Sequence, residues 1–193
     1  ATYLISSIME RNQNDKFVFV IATPSSSSLP YFFEQKINKY KKDLPFSKFD
    51  VEYIQSPSTA KSDKSEALPK IISESNKVYI FGKSSFGKGR ILSEYGIIDD
   101  FVKATIDKKY KLIYIRDEAH IGGESLDKGT LAQNFEKMMS EAASFVLKMT
   151  ATPDFRNQNT KKIILTENEL KNPVLNEGKY LLKTNPVVLV NKD

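Results

Sequence analysis

The chain has 193 residues, a formal net charge of +5 and no cysteine, so disulfides and thiolate metal sites are excluded. No apolar run approaches the roughly 18–20 residues of a transmembrane helix, and no signal peptide is recognisable. A cytoplasmic protein without a membrane partner is therefore expected. Its content of 40% hydrophobic and 27% charged residues is typical of one globular domain, and its positive charge permits, without requiring, a polyanionic partner.

The first part of the chain is predicted to alternate between helices and strands. Tyr3, Leu4, Ile8 and Met9 share one helical face at the beginning of the chain, which predicts a helix there. The next predicted elements are a strand at 16–22, a helix at 31–42, a strand at 49–55, a helix at 65–75 and a strand at 77–81.

The second part continues the same alternation. A helix at 91–106, a strand at 111–116, a helix at 129–144 and a strand at 145–149 are predicted. The expected core residues of the two helices are Ile97, Ile98, Phe101, Val102, Leu131, Phe135, Met138, Met139 and Ala142. Strands that alternate with helices predict an α/β fold, with a parallel sheet covered by helices on both faces.

Two adjacent carboxylates follow the predicted strand at 111–116. Asp117 and Glu118 at a strand end suit a magnesium-dependent phosphoryl-transfer site, because Mg²⁺ prefers oxygen ligands and a second carboxylate can activate water. The alternative is a surface turn, in which such pairs are common. His120 is the only histidine, and by itself it is more often a packing or surface residue.

Two polar loops follow other predicted strands. The loop 23–30, TPSSSSLP, offers hydroxyl and backbone N–H groups that can bind phosphates. The loop 82–90, GKSSFGKGR, presents Lys83, Lys88 and Arg90 to a nucleic-acid backbone. For both loops a solvated turn is the alternative reading.

Gly82-Lys83-Ser84 has the same residues as the end of a phosphate-binding loop. That loop has the pattern GxxxxGK[S/T], in which backbone amides wrap the phosphates. The position of its first glycine is Lys77, at the start of the predicted strand. An ATP-phosphate site at this position, and with it a small-kinase reading, is therefore rejected.

Three short motifs in this order resemble those of superfamily 2 DEAD/DEAH-box helicases and translocases. Asp117-Glu118-Ala119-His120 resembles their Walker B motif, motif II. Thr150-Ala151-Thr152, followed by Pro153, is similar to motif III, and Ala22-Thr23-Pro24 resembles motif Ia. The tail ILTENEL is similar to the segment after motif III in the Res (helicase) subunits of type III restriction enzymes.

The resemblance implies a RecA-like three-layer sandwich with a mostly parallel central sheet, and an enzyme that couples hydrolysis of Mg-ATP to movement on nucleic acid, more often DNA. It implies the following roles: catalysis by Glu118, Asp117 and His120, with Mg²⁺ coordination through water by Asp117; coupling to the nucleic-acid side by His120, Thr150, Ala151 and Thr152; and nucleic-acid binding by Thr23, Pro24, Ser25, Lys83, Ser84, Lys88 and Arg90.

The chain also departs from the family pattern. The family's Walker A motif should precede the first helix, so the chain is read as a fragment, inactive in isolation, of a restriction-enzyme-type motor. Residues 1–153 would be a partial RecA-like domain, and 154–193 an exit segment leading to a second RecA-like domain. Other restriction-modification subunits are possible partners. Arg116 replaces a usually apolar residue, although a strand-end side chain can turn outward. The alternative function is a non-catalytic nucleic-acid-binding module.

Overall fold

The computed structural model describes residues 1–25, 28–56, 58, 70–117 and 130–150. They all belong to the first of two compact units into which the chain divides, Ala1–Pro153. Within these ranges no helix is both long and apolar enough to cross a membrane.

Five helices and five strands alternate along the described residues. The helices are α1 (Thr2–Arg11), α2 (Leu29–Tyr40), the single turn α3 (Ile91–Glu94), α4 (Ile97–Asp107) and α5 (Leu131–Ala142). The strands are β1 (Phe17–Thr23), β2 (Asp50–Ile54), β3 (Lys77–Gly82), β4 (Lys111–Arg116) and β5 (Phe145–Lys148). Short 3-10 turns at Lys41–Asp43 and Lys83–Phe86 extend α2 and β3.

The five strands form one sheet in the order β2-β3-β1-β4-β5, and all neighbouring strands are parallel. All carboxyl ends therefore lie at the same edge, called the carboxyl edge below. β1 is the central strand, and all seven of its residues are buried, as expected for a strand covered on both faces. The predicted α/β class with a parallel sheet is confirmed.

Side-chain alternation along β1 divides the core into two layers. Phe17, Phe19 and Ile21 face α1 and α2, where they pack with residues such as Ile5 and Ile37. The alternate positions of β1 face α3, α4 and α5, together with Phe101, Phe135 and Met139. The sheet therefore lies between two helical layers, as the RecA-like three-layer sandwich requires.

Three sequence predictions about helices need correction. The helix predicted at 91–106 is two helices, because Gly96 adopts a left-handed conformation (φ 67°) between α3 and α4. In α1 the buried face carries Ile5, Ser6 and Met9, whereas Tyr3 is 70% exposed. Of the helix predicted at 65–75, residues 65–69 lie outside the described ranges, and 70–74 are not helical.

Candidate functional site

The carboxyl edge brings together the ends of the strands that carry the predicted motifs. Thr23, the last residue of β1, lies opposite Gly82 of β3, and its neighbour Ala22 lies opposite Arg116 of β4. Arg116 in turn lies opposite Lys148 of β5. The residues that follow Arg116 and Lys148 therefore leave the sheet next to each other. Asp117 follows β4, and the segment that reaches Thr150 follows β5.

A hydrogen bond joins the end of β1 to the residue that follows β4. The Thr23 Oγ1 hydroxyl donates to Asp117 Oδ2 over 3.0 Å, and Thr23 is completely buried. The backbone N–H of Asp117 donates to the carbonyl oxygen of Ala22 over 2.9 Å. Both the backbone and the carboxylate of Asp117 are thus fixed against the end of β1.

The surroundings of Asp117 fit a magnesium ion that keeps most of its water. Mg²⁺ is commonly held by one or two carboxylates while retaining several waters. Asp117 supplies a partly exposed carboxylate, and no group of three metal-ligating side chains occurs among the described residues. A partly exposed carboxylate at a strand end is a suitable ligand for a magnesium-bound water.

A second hydrogen bond joins the loops that follow β1 and β3. The backbone N–H of Ser84 donates to Ser25 Oγ over 2.7 Å, and both residues are exposed. The close approach depends on Gly82, because a Cβ atom there would lie 2.7 Å from Ser25 Oγ and 3.3 Å from Pro30 Cγ. A Ser25 hydroxyl that accepts this bond keeps its own proton for donation to an anion.

Gly82→Ala is expected to break the link between these loops. If Ser25 rotates away from the new methyl group, its hydrogen bond to Ser84 is lost. If Ser25 stays in place, the site is overpacked. In either case we expect a loss of about 1–3 kcal/mol in the free energy of unfolding. Gly87→Ala is the matched control, because its Cβ would meet only the Ser84 carbonyl oxygen at 3.5 Å. Chemical denaturation of both variants measures the difference, and equal stabilities would contradict the prediction.

The predicted basic residues of loop 82–90 differ in their surroundings. Lys88 is exposed and Lys83 is half-buried. Arg90 Nη1 donates to the Ser56 carbonyl oxygen over 3.0 Å, and Arg90 also forms an isolated backbone bridge with Ser58. Arg90 therefore holds the segment after β2 to the loop, while nucleic-acid binding by these residues stays a prediction.

Arg116 does not turn outward, which corrects the sequence-based expectation. Its side chain is buried beneath α5, where Nε lies 3.4 Å from Glu136 Oε1. The Tyr114 hydroxyl donates to Glu136 Oε2 over 2.7 Å. The sequence carried a signal that was missed: an arginine on the buried face of a strand needs an acidic partner, and the amphipathic α5 supplies one.

Burial, followed by the negative charge of Glu136, raises the pKa of Tyr114 well above its usual value. A folded-state pKa above the unfolded-state value means that the folded protein retains a proton that the unfolded chain releases. The stabilisation is complete below the ordinary tyrosine pKa, about 10, and is lost as the pH rises above it.

Several predicted site residues lie outside the described ranges. They are Glu118, His120, Ala151 and Thr152. Pro24 and Thr150 are described and half-buried. The structure therefore brings together Thr23 with Asp117 and Ser25 with Ser84. The role of Thr23 as a nucleic-acid contact stays a prediction, with its hydroxyl already donated to Asp117.

Comparison with known proteins agrees with the fold. The chain matches the family described as Type III restriction enzyme, res subunit, over residues 1–155. No curated protein and no solved structure matches it. With a match that covers most of its length and a parallel sheet of the expected kind, the chain belongs to the type III restriction enzyme res subunit family, an ATP-dependent, helicase-type family.

Proposed function

We propose that this chain is part of the first RecA-like domain of a restriction-enzyme-type motor that couples hydrolysis of Mg-ATP to binding or movement on DNA. The observation that carries the proposal is the hydrogen bond from Thr23 to Asp117 at the carboxyl edge. This bond connects β1, which is followed by the proposed nucleic-acid-binding loop, to β4, which is followed by the acidic motif. Membership of the family supports the same reading.

The end of β1 connects the proposed magnesium site to the proposed nucleic-acid-binding loops. Thr23 holds Asp117, and Ser25, two residues later, holds Ser84. A shift of Asp117 is therefore transmitted through three consecutive residues to the exposed loops. Through this short covalent path, the nucleotide state can change the affinity of the protein for nucleic acid.

The carboxylates have distinct proposed roles. Asp117, oriented by Thr23, holds a magnesium-bound water, and Glu118 accepts a proton from the attacking water. When bound, Mg²⁺ neutralises charge that develops on the phosphates. His120 and the segment Thr150-Ala151-Thr152 connect this centre to the nucleic-acid side. These assignments follow the motif resemblance, with Asp117 supported by its geometry.

The phosphate cradle is the part that this sequence does not contain. No GxxxxGK[S/T] pattern occurs in the 193 residues. Without those backbone amides and that lysine, the β and γ phosphates lack their main partners. We therefore propose that the 193-residue chain by itself hydrolyses ATP very slowly.

The test is Asp117→Asn in the protein expressed from its complete coding sequence. We expect DNA-stimulated ATP turnover to fall at least about tenfold, because the substitution removes the charge that holds the metal-bound water. Glu118→Gln should likewise lower turnover. Asp107→Asn, an exposed carboxylate at the end of α4, is the matched control and should leave turnover unchanged.

Two outcomes would contradict the proposal. Turnover that is equal in Asp117→Asn and Asp107→Asn would exclude Asp117 from the site. DNA binding without any ATP hydrolysis in the complete protein would favour the second candidate, a non-catalytic nucleic-acid-binding module. The exposed Ser25, Ser84 and Lys88 at the carboxyl edge are the observation that supports this second candidate.

A further inference from the structure

Two aromatic side chains are exposed in the first turn of α2. Tyr31 is 48% exposed and Phe32 is 53% exposed. Their ring centroids lie 5.7 Å apart in an edge-to-face arrangement. Adjacent exposed rings offer a large rigid face for binding and therefore form a candidate contact surface. We call Tyr31 and Phe32 the aromatic pair.

The aromatic pair lies at the carboxyl edge of the sheet. Pro30, the residue before it, is buried, and its Cγ would lie 3.3 Å from a Cβ atom on Gly82. The first turn of α2 therefore packs against the end of β3, where Ser25 and Ser84 are bonded. The exposed rings and the exposed hydroxyl group belong to one region of the surface.

The charge along α2 and the following turn is predominantly positive. The lysines there are Lys36, Lys39, Lys41 and Lys42, against the acidic residues Glu34 and Asp43. Glu34 is already engaged, because its Oε1 accepts from the backbone N–H of Tyr53 over 3.1 Å. A surface that combines lysines with exposed rings is complementary to a polyanion that also presents flat aromatic groups.

We propose that the aromatic pair stacks on unpaired bases of a nucleic-acid strand whose backbone passes Ser25 and Ser84. The inference rests on the proposed function and adds a substrate class to it, a strand with accessible bases. Stacking needs the π-face of a base, which a closed duplex covers with the neighbouring base pairs. The serine pair contacts phosphates, while Tyr31 and Phe32 distinguish strands that have free bases.

The other end of the same helix supplies an internal comparison. Tyr40 is 51% exposed, close to the values for the aromatic pair. It lies nine residues along the helix from Tyr31, roughly 13 Å away, towards the opposite edge of the sheet. Exposure is therefore matched, whereas the position relative to Ser25 and Ser84 differs.

The experiment compares two oligonucleotides of about 16 nucleotides, a length at the upper end of single-strand site sizes. One is oligo-dT, and the other is an abasic strand with the same number of phosphates. Binding to the protein expressed from its complete coding sequence is followed by fluorescence anisotropy at low salt. The variants are Tyr31→Leu/Phe32→Leu, which keeps apolar volume but removes both rings, and Tyr40→Leu as the control.

We expect the wild-type chain to bind oligo-dT more tightly than the abasic strand. The Tyr31→Leu/Phe32→Leu variant should bind oligo-dT at least about fivefold more weakly while its affinity for the abasic strand is unchanged, because only base stacking is lost. Tyr40→Leu should match the wild type with both strands. Thermal unfolding of each variant confirms that the fold is retained.

The outcomes separate this inference from the function on which it rests. If the wild-type chain binds neither strand, the proposed nucleic-acid function fails and the stacking inference fails with it. If it binds both strands equally, the proposed function stands and the stacking inference is overturned. An aromatic-pair variant with unchanged binding but altered self-association would assign Tyr31 and Phe32 to a protein contact, which also overturns the inference.

Discussion

Glu136→Leu is expected to lower the free energy of unfolding by about 3 kcal/mol, because it removes the carboxylate that pairs with the buried Arg116 guanidinium and accepts from the Tyr114 hydroxyl. The Arg116 side chain is 8% exposed and that of Glu136 is 25% exposed, so the expected loss is at the lower end for a broken buried ion pair. For a chain of this size the melting temperature should fall by roughly 6–12 °C. Thermal unfolding followed by circular dichroism measures it.

Two further variants give this prediction a control. Glu141→Leu removes the acidic partner of Lys137 on the same helix, where the atoms lie 3.9 Å apart and both side chains are largely exposed. Its effect should stay below about 1 kcal/mol. Arg116→Met/Glu136→Leu removes both charges and should recover part of the lost stability, because the Tyr114 hydroxyl still lacks its acceptor. Equal losses for Glu136→Leu and Glu141→Leu would contradict the assignment of a buried ion pair.

Phe135→Ala is expected to cost about 3–5 kcal/mol, as large aromatic residues do when they are removed from a packed core. Phe135 is 3% exposed and stacks on Phe86, with ring centroids 3.4 Å apart and an angle of 9° between the planes. Tyr114 meets its edge at 6.1 Å. The loss arises because the truncation leaves a cavity between α5 and the sheet. Urea denaturation measures this loss in stability.

Phe145→Ala is the matched control for this second prediction. Phe145 begins the edge strand β5 and is 49% exposed, so less apolar surface returns to water on truncation. Its effect should stay below about 1–2 kcal/mol. A cost for Phe135→Ala no larger than that for Phe145→Ala would exclude the stacked pair as a core contact.

The Phe135–Phe86 contact also has a consequence for the candidate site. Phe86 ends the 3-10 turn Lys83–Phe86, and the Ser84 of this turn bonds to Ser25. Loss of the stacking partner should therefore loosen the exposed loop as well as the core. Faster amide exchange at Ser84 in Phe135→Ala than in Phe145→Ala is the expected signature.

The sequence alone was sufficient for the alternation of elements and the parallel sheet. Apolar runs such as Phe17–Thr23 are long, are bounded by polar loops and are separated by amphipathic helices, so local periodicity specifies both the elements and their order. The position of Asp117 at a strand end followed from the same pattern.

Only the tertiary structure decided which side chains meet across that edge. Thr23 and Asp117 are separated by 94 positions, and Ser25 and Ser84 by 59, so no local pattern links them. The break of the helix predicted at 91–106 at Gly96 is also a tertiary result, since the apolar periodicity continues through it. The direction of Arg116 depended on Glu136 in the next helix, a partner that a strand read by itself does not reveal. Sequence periodicity thus determined the layers, whereas long-range packing determined the hydrogen bonds and the buried ion pair of the site.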